Sequence, residues 1–513
     1  MKLTRRNALG LMAAAPFARG LRADAPAGIE IARGPFAGTR ESLAAYRVPD
    51  WFRDAKFGIW AHWGPQSAAE DGDWYARNMY MEGSPQYKYH VEHYGHPSKF
   101  GFKDIIPTWK GDKFDPDHLV EIYKKAGAKY FVSMGVHHDN FDLWNSKHTR
   151  WNSVNMGPKK DIVGLFREAT LKHGLKFGVS DHLWISYKWW GVSHASDAQG
   201  LLAGVPYDGT ETENADLYHD AGCAQFAGPK LGWNEDGIPE AWKRHWFDRI
   251  KDLIDNYEPD LIYTDGLLPF EDYGLSQVAN MYNRSAARHG GVAEAIYTSK
   301  READCETGSC LLDVERGVPD GILTNPWQTD TCVGDWHYQR GIKYKTPKTV
   351  IDLLVDIVSR NGNLLLNFPL PNSGAPDAEE LKIVAAITDW MAVNSEGIYG
   401  TRPWKIFGVG PGTQSAKKGA FNESARKDLT MEDVRFTTKG RALYAFVMGW
   451  PAGSTLIKPL GTASPQEPGK IANVELLGYK GKIAWAQTAA GLQVTLPTEA
   501  PSKHAVTLKV SLG

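Results

Sequence analysis

From about residue 50 to about residue 400 the chain alternates short apolar runs with stretches of helical periodicity, and this alternation restricts the fold more than any other feature. The strand candidates are 57–60, 130–136, 176–180, 261–264, 292–297, 311–314, 321–325 and 363–368, eight in all. Helical patterns lie between them. In 240–257, Trp242, Trp246, Ile250, Leu253, Ile254 and Tyr257 fall on one face. The stretch 349–360 follows Pro347 and ends at Asn361-Gly362, which suits a helix C-terminus. Alternating strands and helices imply a parallel sheet. Eight such units predict a (β/α)8 TIM-like barrel with insertions, over residues 35–405. An open doubly wound sheet is the alternative, disfavoured because no G-x-G-x-x-G follows the first strand.

After Trp404 the pattern changes. Residues 408–427 are rich in Gly, Ser, Asn and Lys and read as a linker or long loop. The runs 434–437, 443–448, 474–477, 492–496 and 505–510 alternate or are β-branched, without helical period, so 406–513 is expected to form an antiparallel β-sandwich.

Residues 1–23 read as an export signal. Thr4-Arg5-Arg6-Asn7 precedes an apolar run from Ala8 to Phe17, and Leu21-Arg22-Ala23 offers a cleavage point. Paired arginines before a weakly hydrophobic run resemble a twin-arginine signal, which implies a periplasmic or secreted protein. The run is too short to span a bilayer, and no later segment is apolar enough. A net charge of −2 gives no footprint for nucleic acid. The four cysteines contain no C-x-x-C pair, so no zinc site is suggested; whether Cys305 and Cys310 bridge stays open. So does assembly into a homo-oligomer.

Barrel chemistry sits where strands end. The polar residues read at those places are His62-Trp63-Gly64, His137-His138-Asp139, Asp181-His182 with Trp184, Asp265-Gly266, Glu315-Arg316-Gly317 and Trp327-Gln328-Thr329-Asp330. Imidazoles and carboxylates exchange hydrogen bonds with sugar hydroxyls, and indole faces pack on sugar C–H faces; the 19 Trp in the chain supply them. Two carboxylates can divide the work at an acetal. Taken singly, each motif has a plainer explanation: Asp-Gly is commonly a turn, and Glu-Arg a surface ion pair. Their co-location at one rim favours a site. A metal is the competing chemistry, with His62, His137, His138, Asp181, His182 and Asp265 as conceivable ligands. Adjacent His137 and His138 would point to opposite sides of an extended chain, which speaks against a shared ion. No metal and no cofactor is assigned.

At these residues the sequence resembles glycoside hydrolase family 29, the α-L-fucosidases, over about residues 45–405. Ala55-Lys56-Phe57-Gly58 through His62-Trp63-Gly64, Asp73-Trp74-Tyr75 (with Asp where the family carries Glu), Lys129-Tyr130-Phe131 through His137-His138-Asp139-Asn140-Phe141, Thr264-Asp265-Gly266, Asn361-Gly362-Asn363 and Gly397-Ile398-Tyr399-Gly400 resemble the family's motifs in order. The resemblance implies a barrel followed by a β-sandwich, a retaining double displacement without cofactor, and a fucosylated oligosaccharide or glycan as substrate. By it, Asp265 would be the nucleophile, and His62, His137 and His138 would bind hydroxyls. Trp74 and Tyr75 would line the pocket, with Asp181, His182 and Trp327 as further substrate contacts. Asp313-Val314-Glu315-Arg316-Gly317 is similar to the segment ending in the acid/base, which assigns Glu315, with Asp330 as the alternative; Gln328 stands where many members carry a carboxylate and is excluded. Val179-Ser180-Asp181-His182 departs from the family's G-x-Y-Y-S. An α-L-galactosidase, or a fucose-binding protein that has lost catalysis, would fit the same resemblance. The insertion 191–239 is expected to cap the site.

Overall fold

The computed structural model describes residues 28–414, 419–451 and 453–513. The expected export segment lies outside the described residues. Eight parallel strands close into a barrel: β1 Phe57–Ala61, β2 Tyr130–Val136, β3 Lys176–Asp181, β4 Leu261–Thr264, β5 Ile296–Ser299, β6 Leu311–Asp313, β7 Trp327–Cys332 and β8 Gly362–Asn367, with β8 pairing back onto β1. Apolar residues of Glu240–Tyr257, Pro347–Ser359 and the other helices cover the outside. Strand β1 approaches β2 so closely that a Cβ on Gly58 would lie 2.2 Å from the Tyr130 ring, so only glycine fits there.

The barrel interior is part apolar and part hydrogen-bonded. Trp60, Val132, Leu261, Ile296, Leu311 and Leu365 pack together. Among them Tyr130 donates to Gln328 at 2.9 Å, Gln328 donates to Asp313 at 2.7 Å, and Tyr263 donates to Asp330 at 2.8 Å. This network explains the main misplacement. The seventh strand is not 321–325, which is loop, but β7, whose sequence Trp-Gln-Thr-Asp-Thr-Cys carries inward polar groups and so shows no apolar run. The fifth strand also begins later than expected, at Ile296, because Val292 is an exposed residue of the preceding loop.

Two antiparallel sheets follow. Strands β9 Arg402–Val409, β10 Val434–Lys439, β11 Ala442–Val447, β13 Ile471–Leu476 and β16 Val506–Leu512 form one, in the order β13-β16-β11-β10-β9. Strands β12 Ser454–Ile457, β14 Ala484–Gln487 and β15 Leu492–Thr495 form the other, in the order β12-β15-β14. Their inner faces share one core, including Phe436, Leu443, Ile457, Leu492 and Leu508. Strand β9 straddles the expected boundary at 405/406, so the sheet takes residues that the sequence reading gave to the barrel. The stretch read as a linker is structured in part, because β9 runs to Val409 and the segment around Asn422 packs onto the barrel.

Candidate active site

The C-terminal ends of the strands surround a cavity of about 580 Å³. Asp265 follows β4 directly. Its backbone N–H donates to the Asp181 carbonyl at 3.0 Å, and its own carbonyl accepts from Trp184 Nε1 at 2.6 Å. Gly266 then turns at φ +103°, a conformation that glycine adopts without strain. Glu315 follows β6, and both carboxylates reach into the cavity.

Lys300, the first residue after β5, joins them. Its Nζ lies 2.9 Å from Asp265 Oδ1, 2.5 Å from Glu315 Oε2 and 3.4 Å from Asp330 Oδ2. The Asp265 and Glu315 oxygens therefore cannot be farther apart than the first two lengths laid end to end. That ceiling lies below the roughly 6.5–9.5 Å needed to seat a water between the groups, and it is compatible with the about 5–5.5 Å used for double displacement.

The surroundings push the two carboxyls apart in acidity. Burial alone would raise Asp265, but the Lys300 ammonium and the hydrogen bond from His138 hold it well below the usual carboxylate range. Burial raises Glu315; Lys300 opposes this, but the negative charges of Asp330 and Asp265 add to it, and the carboxyl is pushed up to about 7. Burial and the crowding of acids around one ammonium thus favour the protonated form of Glu315 while Asp265 stays ionised. Divergent acidity in a carboxylate pair is what an acid/base and a nucleophile require. Lys300 itself stays charged: burial works against it, but the adjacent Asp265, Asp330 and Glu315 win.

Imidazoles form the other wall. His138 Nε2 is 3.3 Å from Asp265 Oδ2, and its Nδ1 donates to the His182 carbonyl at 2.5 Å. His62 is fixed through its backbone N–H, which donates to Asn367 Oδ1 at 2.8 Å. Burial and the neighbouring imidazoles depress His62 and His137 well below the ordinary histidine range, and burial takes His182 to about 3. These rings are neutral, and hydroxyls can pair with the ring nitrogens that the protein leaves free; Gln66 takes Nδ1 of His137 and the Val136 carbonyl takes Nδ1 of His182. His62 Nδ1 and His337 Nε2 are buried without a protein partner. Adjacent residues of an extended chain would point to opposite sides, but His137 and His138 reach the same cavity because they follow the end of β2 in a turn, with Asn140 at φ +64°. Arg249, from the helix Glu240–Tyr257, braces that turn through Asn140, at 2.5 Å, and Asp142.

Trp74, His62, His137, His138, His182, Asp265 and Glu315 thus meet in one cavity. Three expected contacts do not. Tyr75 is buried outside it, with its hydroxyl 2.7 Å from His90 Nδ1. Asp181 faces away, accepting from Leu183 N–H at 2.8 Å and Trp246 Nε1 at 3.0 Å. Trp327 opens β7 at the opposite end of the barrel and donates to the Arg360 carbonyl at 3.0 Å. Asp330, fully buried in the barrel interior beneath Tyr263 and Lys300, is not positioned to meet a leaving group.

Several lining residues escaped the sequence reading: Lys300, Trp60, Tyr263, Trp233, Trp336 and Phe421. Lys300 and Trp336 had a usable signal, because both follow strand ends, but those strands were placed too early. Asp73 was matched as a motif residue; its Oδ1 holds His337 Nδ1 at 2.6 Å. Two triads have ligand atoms close enough to hold an ion, His62-His137-His182 and Asp73-His137-His337. Gln66 Nε2 donates to His137 Nδ1 at 2.9 Å, which places the ring proton on Nε2 and suits hydroxyl binding better than ligation.

The alpha-L-fucosidase family model matches residues 25–396. The chain belongs to the alpha-L-fucosidase family. The family's C-terminal domain matches residues 426–511. The tissue alpha-L-fucosidase of Bos taurus is 27% identical over 488 residues, covering 92% of this chain and 90% of its own. The plasma alpha-L-fucosidase of Homo sapiens is also 27% identical, covering 90% and 88%. The alpha-fucosidase of Thermotoga maritima superposes with a TM-score of 0.70 at 23% identity, over 93% of this chain and 100% of its own, a likeness of fold. This member of the family is accordingly a glycoside hydrolase.

Proposed function

We propose that the protein removes terminal α-L-fucose from fucosylated glycans with retention of configuration, with Asp265 as nucleophile and Glu315 as acid/base. The observation that carries this reading is the pair of carboxylates held on one ammonium, Lys300, in one cavity and too close together to seat a water between the facing oxygens. Ionised Asp265 attacks the anomeric carbon while protonated Glu315 gives its proton to the leaving oxygen. The ester has no charge at position 265, so one of the effects raising Glu315 disappears; Glu315, having given its proton to the leaving group, stays ionised and can take a proton from the incoming water. His62, His137 and His182 pair with the hydroxyls, and Trp74 covers a ring face.

Hydrolysis of 4-nitrophenyl α-L-fucoside tests the reading. Asp265→Ala should lower turnover by several orders of magnitude while thermal unfolding stays near that of the wild type; substantial residual activity would contradict it. The corresponding α-L-galactoside, which adds one hydroxyl at C6, should be cleaved far more slowly, and the reverse preference would make this an α-L-galactosidase.

Export by the twin-arginine route completes the proposal. Arg5-Arg6 supports it, as does the Cys305–Cys310 disulfide, which suits an oxidising compartment. Replacing both arginines by lysine should retain the protein inside the cell; unaltered export would contradict this route. No helix among the described residues is long and apolar enough to cross a membrane.

A further inference from the structure

The cavity is larger than one deoxyhexose ring requires, and its volume suits a ligand of more than one ring. Among its lining residues, Trp233 is 47% exposed and Phe421 51% exposed, and Leu267 is partly exposed. Phe421 comes from outside the barrel, in the segment between β9 and β10.

That segment is fixed to the loop carrying Glu315. Phe421 N–H donates to the Glu315 carbonyl at 2.8 Å, and Glu423 N–H to the Arg316 carbonyl at 3.0 Å. Asn422, buried, exchanges hydrogen bonds with the Val318 backbone at 3.1 and 2.8 Å. The approach is so close that a Cβ on Gly317 would lie 2.3 Å from the Gly419 carbonyl. Glu423 also pairs with Lys345 at 2.8 Å and accepts from Thr331 at 2.6 Å. An exposed aromatic ring is therefore held on an ordered backbone, beside the residue that faces the leaving oxygen. Exposed apolar surface at such a place marks a binding surface.

We infer that Phe421, with Trp233 and Leu267, forms a leaving-group subsite for a pyranose that presents an apolar C–H face. This rests on the assignment of Glu315 as the proton donor, because that role defines which side the leaving group occupies. Aromatic rings supply large, rigid apolar area at low entropic cost. The sandwich end of the chain thereby contributes to selectivity while the barrel performs the chemistry.

Three fucosides separate this role from simple support of Glu315. The 4-nitrophenyl fucoside offers a flat face and needs no proton; the methyl fucoside needs the proton and offers no face; a fucosyl galactoside needs both. In Phe421→Ala, kcat/KM for the nitrophenyl and the galactosyl substrates, each divided by that for the methyl substrate, should fall about tenfold, and Phe421→Trp should restore both ratios. Phe421→Leu serves if the alanine variant does not fold. Unchanged ratios overturn the subsite. Raised nitrophenyl ratios overturn it in favour of a role in positioning Glu315. A fall confined to the nitrophenyl ratio overturns the assignment of a sugar. A wild type that cleaves none of the three overturns the proposed function itself, whereas a wild type active on all three leaves that reading standing whatever Phe421 does.

Discussion

Lys300 sets the ionisation of both carboxylates that it touches, so its removal has a signed consequence. The ammonium lowers Asp265 and also lowers Glu315. The rate should therefore rise with pH as Asp265 ionises, and fall as Glu315 loses its proton near 7. Lys300→Met should move both limbs of the kcat/KM profile to higher pH and cost about a hundredfold in rate, the scale of losing one preorganised charge partner. Lys300→Arg should move them less. Limbs that stay in place would show that the ammonium does not govern the pair. Another lining residue bears a different cost: Trp74 sits at φ +61°, an uncommon conformation for a non-glycine residue, and the Asp73-Trp74-Tyr75 segment turns there so that the indole enters the cavity while Tyr75 packs outside.

At the scale of elements, the loop after β2 depends on a helix far along the chain. Arg249 and Asp142 form a fully buried ion pair, and the same guanidinium holds Asn140, beside His137 and His138. Arg249→Leu strands the Asp142 carboxylate and should cost about 3–5 kcal/mol in urea unfolding, the scale for breaking a buried pair. A loss under 1 kcal/mol would contradict that role. The Cys305–Cys310 bridge closes the short loop joining β5 to β6, and its reduction should cost about 2 kcal/mol by loop entropy; an unchanged melting temperature on reduction would contradict this. Strands with an apolar run, such as β2 and β8, were legible in the sequence within a residue or two. Strand β7 was not, because its inward side chains are Gln328 and Asp330 rather than aliphatic residues, and periodicity reads apolar character only. That error moved the expected strand end by several residues and hid Trp336 and His337. Asp265, Glu315, His62, His137, His138 and His182 were legible because each lies within two residues of the end of a correctly placed strand. Tyr75 and Asp181 were misread because sequence position does not reveal to which side of the backbone a side chain turns. Phe421 carried no signal at all, since its place depends on a contact between distant segments.

Across the whole molecule, barrel and sheets are joined by buried charge. Asp356, on the helix Pro347–Ser359, accepts from Arg435 of β10, from Arg426 at 2.5 Å and from Arg360 at 2.9 Å. Burial opposes its ionisation, but the guanidiniums hold its carboxyl below the usual carboxylate range. A depressed carboxylate stabilises the fold at pH values above its unfolded pKa, and that contribution is lost as pH falls towards its native value. Asp356→Asn should therefore lower stability by a few kcal/mol near neutrality and by progressively less in acid. A penalty independent of pH would show that the charge is not what joins the two units. The same junction orders the segment that brings Phe421 to the cavity, so the C-terminal sheets bear on selectivity as well as on stability.

Proton NMR of the first turnovers on an aryl α-L-fucoside tests the central claim most directly. Double displacement through Asp265 and Glu315 predicts that the α-anomer of fucose appears first, with the β-anomer growing in only at the rate of spontaneous mutarotation. Initial release of the β-anomer would mean a single displacement by water, and would contradict the assignment of Asp265 as the nucleophile.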